Sequence, residues 1–184
     1  MSDFEKRCSW VDLKDKAYVR YHDTEWGVPV HDDQKLFEML VLESFQAGLS
    51  WQCVLHKREA FRRAFDDFDV QKVAAYTPEK ITALCQNPQI IRHKGKIESA
   101  VKNARAFIDI QQTFGSFDAF LWAQTNFKTL AASGMETTSP LSDKLAKELK
   151  KRGMHFLGST TVFSYLCAVG LVDAHQPNCF KKHT

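Results

Sequence analysis

The stretch Leu36 to Trp51, LFEMLVLESFQAGLSW, limits what this chain can fold into more than any other. Placed on a helix, Leu36, Phe37, Met39, Leu40, Val41, Leu42 and Phe45 fall almost all the way round. A helix apolar on every side is buried at the centre of a protein rather than laid on its surface. Glu43 lies on the same line as Leu36, Leu40 and Ala47. A carboxylate there must be paired, hydrogen-bonded or kept for chemistry. The helix is expected to stop at Ala47-Gly48, and Ser50 can cap the next one with Trp51 in its first turn. A buried acid and an indole at one corner point to a pocket.

The rest of the chain reads as helices too. Asp69 caps a short helix through Ala75, and Thr77-Pro78-Glu79 opens one through Cys85 that Asn87-Pro88 stops. A longer helix runs from Gly95 to Thr113 with Ile97, Ala100, Val101, Ala104 and Ile108 as its stripe. Ser116 starts another, Leu141, Leu145 and Leu149 mark one that Gly153 ends, and the last spans 159–169 before Gly170. Residues 1–31 and 125–140 read as irregular. No segment alternates apolar and polar residues as a half-buried strand does, so the expected fold class is all-α.

With 44% hydrophobic residues, 14 Phe and 4 Trp among 184 residues, the chain can build a real core, as one compact domain or two small lobes. A net charge of +3 permits nucleic-acid binding without demanding it. No apolar run reaches membrane-span length, and MSDFEKRC lacks the apolar core of a signal peptide. A soluble, cytoplasmic protein is expected. Five scattered cysteines, an odd number, suit reduced thiols and metal ligands better than a disulfide framework.

Two constellations carry possible chemistry. In Gln89-Ile90-Ile91-Arg92-His93-Lys94-Gly95-Lys96, two apolar residues can anchor a turn and four basic or potentially basic residues follow. Gly95 at the start of a helix lets backbone N–H groups approach an anion, and Lys94 and Lys96 add attraction. A nucleic-acid phosphate is a natural ligand, although a solvated basic turn looks the same. At the chain ends, His175 and Cys179 are four residues apart, and Cys8 and His22 form a second pair. Together they make a Cys₂His₂ set, which would close around a structural zinc. The pairs lie far apart and neither is a CxxC, so spacing alone does not establish the metal.

With these residues in view, the sequence resembles the type I 3-methyladenine-DNA glycosylases of bacteria. The resemblance runs from Cys8-Ser9-Trp10-Val11 to Cys179 through YHDTEWGVP (21–29), LFEMLVLESFQAGLSW (36–51), IIRHKGKI (90–97) and KKRGMHFLGSTT (150–161). It implies one bilobal helix-hairpin-helix domain over 1–184, with that element at about 79–113. It implies hydrolysis of the N-glycosidic bond of 3-methyladenine flipped out of alkylated double-stranded DNA, without strand cleavage, by a monomer. Glu43 would be the catalytic group, Tyr21 and Trp51 the base-binding aromatics, and Arg92, Lys94, Gly95 and Lys96 the backbone contacts. Cys8, His22, His175 and Cys179 would hold one Zn²⁺. The sequence departs from the family pattern at Ser44, at Cys167 and at Asp173-Ala174. Ser44 is expected beside the pocket, and the others in packing or around the metal.

Overall fold

The computed structural model describes residues 6–182, so part of the MSDFEKRC reading lies outside it. Nine α-helices are present among the described residues: α1 (Lys16–Thr24), α2 (Asp33–Gln46), α3 (Trp51–Ala64), α4 (Val70–Ala74), α5 (Pro78–Gln86), α6 (Lys94–Phe114), α7 (Phe117–Trp122), α8 (Pro140–Lys151) and α9 (Ser159–Ala168). None is long and apolar enough to cross a membrane.

The central helix is α2. Every residue from Leu36 to Phe45 is buried, and α3, α6, α7 and α9 pack around it. Each large aliphatic or aromatic side chain so enclosed contributes roughly 1.5–3 kcal/mol relative to exposure. Two acids enter with them. Glu38 is neutralised by Arg62, whose Nε and Nη2 donate at 3.0 and 2.7 Å. Glu43 has no such cation.

The helix starts follow the caps expected. Ser50 accepts from the Cys53 N–H at 3.2 Å, Asp69 from Gln71, Thr77 from Lys80 and Ser116 from Ala119. Each satisfies an amide that the first turn leaves open. Gly48 turns the chain between α2 and α3 at φ +83°, a conformation that costs glycine nothing.

Two expectations change. The first 31 residues are not all irregular, because α1 forms after Asp15, whose carboxylate accepts from the Ala17 and Tyr18 N–H groups. Its buried residues are Tyr21 and His22 rather than aliphatics, so no apolar stripe marks it. The fold is mostly helical but not purely so. Leu130–Ala131 (β1) and Val172–Asp173 (β2) pair in parallel. Strands of two residues are too short to show alternation.

Candidate active site

Tyr21 from α1, Glu43 from α2 and Trp51 from α3 meet in one cavity of about 270 Å³. The Tyr21 and Trp51 ring centroids are 5.3 Å apart with planes inclined at 40°. Glu43 is 3% exposed. Its Oε2 and the Trp51 Nε1 are buried without a hydrogen-bond partner. A native interior rarely leaves such groups unpaired, and two together mark a site built for a ligand. Burial alone pushes the Glu43 carboxyl up to about 8; burial, with the Glu43 charge adding to it, raises the Tyr21 phenol well above its usual value. Without a ligand, a proton on Glu43 is the less costly state at neutral pH.

The wall opposite comes from α9 and the segment before α8. Thr160, Phe163, Ser164 and Cys167 line it with Glu136 and Thr137. Nothing in the sequence linked α9 to Glu43, since the contact spans more than a hundred residues. Cys167 packs in the core as expected and, beyond that expectation, also lines the cavity. Burial pushes its thiol up to about 12, with the Glu43 charge adding to this, so it faces the cavity as neutral S–H. Ser44 is buried beside Glu43 and its Oγ donates to the Val41 carbonyl at 2.6 Å. Trp10, Tyr18 and Trp26 also line the cavity.

Adjacent residues of α1 serve two sites: Tyr21 faces the cavity, His22 the joined chain ends. The ligand atoms of Cys8, His22 and Cys179 lie within 4.8 Å of one another, all three residues buried. Cys179 Sγ is 3.4 Å from His22 Nε2. His175 stands beside this trio, its ring 5.4 Å from that of His22, with Nε2 buried and partnerless. Each imidazole donates through Nδ1 to a carboxylate at 2.8 Å, His22 to Asp23 and His175 to Asp173. A carboxylate only accepts, so Nδ1 carries the hydrogen and both Nε2 atoms are free to ligate. The Gln176 and Lys181 N–H groups point at the Cys8 and Cys179 sulfurs, at 3.4 and 3.5 Å. Gly27, at φ +76°, leaves room for His175: an added Cβ would sit 2.5 Å from its Cε1. The two buried thiols and the oriented His22 imidazole could hold a metal ion, with the oriented His175 imidazole beside them. Asp23 directly after His22 and Asp173 two before His175 were the available signals for the orienting acids.

The basic turn lies between α5 and α6, which pack together. Ile90 is buried and anchors it. His93 is the N-cap of α6, its Nδ1 accepting from the Lys96 N–H at 3.2 Å. Arg92 and Lys94 are exposed, the Lys94 ammonium lying 3.8 Å from Glu98. Lys96 departs from the expectation of a backbone contact. It is 5% exposed, and its ammonium donates to the Phe45 and Ala47 carbonyls at 2.8 and 2.6 Å. It faces the end of α2, not solvent, because two residues along a helix lie about 200° apart around its axis, so Lys94 points outward and Lys96 inward.

Over residues 10–182 the sequence matches the methyladenine glycosylase family. The chain belongs to that family. It is a glycosylase, and so a hydrolytic enzyme. It is 45% identical over 179 residues to DNA-3-methyladenine glycosylase 1 of Escherichia coli K12, covering 95% of each chain. Among solved structures, 3-methyladenine DNA glycosylase I superposes with a TM-score of 0.93 at 45% identity, covering 97% of this chain and 100% of that one. A Tyr-to-Phe variant of 3-methyladenine DNA glycosylase I in complex with 3-methyladenine gives 0.91 at 42% identity, covering 97% and 98%.

Proposed function

We propose that this glycosylase removes 3-methyladenine from alkylated double-stranded DNA as a monomer, hydrolysing the N-glycosidic bond and leaving an abasic site without cutting the strand. The observation that carries this is the buried Glu43 carboxyl, its Oε2 without a partner, beside the Tyr21–Trp51 pair. A cavity of about 270 Å³ is at the small end of ligand pockets, which suits a single base. The base must leave the duplex to reach it.

N3-methylation makes adenine cationic and weakens its bond to the sugar. The π faces of Trp51 and Tyr21 attract a cation by roughly 0.5–2 kcal/mol more than a neutral ring. A cation also draws the proton from Glu43 by favouring its carboxylate, which then accepts hydrogen bonds from the exocyclic amine. A neutral base offers no such exchange and meets a protonated acid. The base leaves neutral, so little general-acid help is needed, and water attacks the sugar carbon. Among the described residues no lysine lines the cavity, which supports water rather than a Schiff base as the nucleophile.

Two further parts complete the reading. Cys8, His22, His175 and Cys179 would hold a Zn²⁺ whose contribution is structural, four protein ligands leaving no place for a reacting water. The α5–turn–α6 unit acts as a helix-hairpin-helix, with Arg92, Lys94 and the Gly95 amide on a DNA phosphate. Lys94→Ala is then expected to weaken binding to all duplex sequences alike and to lower the slope of log K against log salt by about 0.9. Fluorescence anisotropy of a labelled duplex across a salt series measures both, and a loss confined to one sequence contradicts the phosphate role.

The experiment for the whole reading is incubation with methylated duplex DNA and chromatographic identification of every base released. Release of 3-methyladenine with little 7-methylguanine is the expected result. Another purine as the main product moves the specificity, and no release from folded, DNA-binding protein removes the activity.

A further inference from the structure

The buried ammonium of Lys96 belongs to neither the hairpin's outer face nor the cavity, yet it joins them. Helix α2 ends at Gln46, whose carbonyl accepts from the Leu49 N–H at 2.6 Å, while its C-cap Ala47 turns away at φ −48° and ψ 114°. Of the remaining carbonyls at this end, Lys96 Nζ takes those of buried Phe45 and exposed Ala47. A cation is also the favoured charge at a helix C-terminus. These carbonyls lie two and four residues beyond Glu43, and Gly48-Leu49-Ser50 then leads directly to Trp51. Lys96 itself sits in the first turn of α6, two residues after Lys94 and one after Gly95. A single side chain thus ties the start of the hairpin helix to the corner that holds the catalytic acid and the stacking indole.

We propose that Lys96 is a positioning residue for base excision: by holding the α2 terminus to the hairpin helix, it sets Glu43 and Trp51 at the separation the flipped base requires. This rests on the glycosylase reading above. The role differs from contact with DNA, because an ammonium buried against the α2 end and bonded to two of its carbonyls is turned away from a phosphate at the surface. It differs from simple stabilisation too, since displacements near 1 Å at a reacting centre cost on the order of a hundredfold in rate.

The test compares wild type with Lys96→Met, which keeps the unbranched stem and loses the donors, and Lys96→Arg, which restores donors. Three quantities are measured well below the melting temperature: affinity for undamaged duplex and its salt slope, single-turnover release of 3-methyladenine with enzyme in excess, and quenching of tryptophan fluorescence by free 3-methyladenine. For Lys96→Met the duplex affinity and slope should stay at wild-type values, while release falls roughly ten- to hundredfold and free-base quenching weakens. Lys96→Arg should recover part of the rate. Wild-type release from a Lys96→Met protein that merely melts earlier overturns the proposal, and so does a slope lowered by about one, the signature of a phosphate contact. Should Lys96→Met not fold, Lys96→Gln keeps an amide donor too short for both carbonyls and is read in the same way. Wild-type protein that releases no base overturns the glycosylase reading instead, and the free-base titration then decides whether Lys96 shapes the cavity.

Discussion

Replacing Glu43 by glutamine is expected to lower release of 3-methyladenine by about 10²- to 10³-fold, the range found when one preorganised electrostatic partner is removed from a water-poor site. The amide keeps the shape and can still accept a hydrogen bond, but it cannot become an anion when a cationic base enters. Single-turnover release with enzyme in excess measures the loss directly, and unchanged release removes Glu43 from the mechanism. The same substitution carries a second signature. Burial raises the Glu43 carboxyl from 4.5 in the unfolded chain to about 8 in the native protein, so between these values the native state holds the extra proton. The Glu43 contribution to stability is therefore fully present below pH 4.5, is lost through the window at up to about 1.4 kcal/mol per pH unit, and changes no further above pH 8. Glu43→Gln is expected to flatten this slope and to be more stable than wild type at pH 8. Urea unfolding at pH 5, 6.5 and 8 checks it, and parallel curves for the two proteins contradict an unpaired acid.

The second large effect is expected at the chain ends. Cys179→Ser, or His175→Ala, should remove stoichiometric zinc, read by elemental analysis of the purified protein. At free zinc a thousandfold above its dissociation constant, the lost stabilisation is on the order of 4 kcal/mol. At two to four degrees per kcal/mol for a chain of this size, the melting temperature falls roughly 10 °C. Excision per folded molecule at low temperature should change far less, because the ligands meet behind the cavity wall formed by Trp10, Trp26 and Ala174. A metal-free wild type, or a variant that loses activity at once but keeps its melting temperature, contradicts a structural zinc.

These expectations draw on sequence and tertiary structure to different degrees. The all-round apolar character of Leu36 to Phe45 already required a central helix and a buried Glu43, because both follow from periodicity along one segment. Ser50, Asp69, Thr77 and Ser116 announced helix starts, since a cap bonds to amides two or three residues away. The aliphatic-poor α1 and the β1–β2 pair were not legible, the first because its packed face is tyrosine and histidine, the second because two residues carry no period.

Local chemistry is written along the chain: which helices form, which acid is buried, which thiols and imidazoles are available. What those groups meet is settled by how the helices pack. Packing brought Cys167 and Ser164 of α9 to the cavity that holds Glu43, and it oriented His22 and His175 through Asp23 and Asp173. It also turned Lys96 from an expected surface charge into the cap of α2. A side chain's type is written at its position, but its partner is set by which helix packs against which, and that depends on the whole core at once.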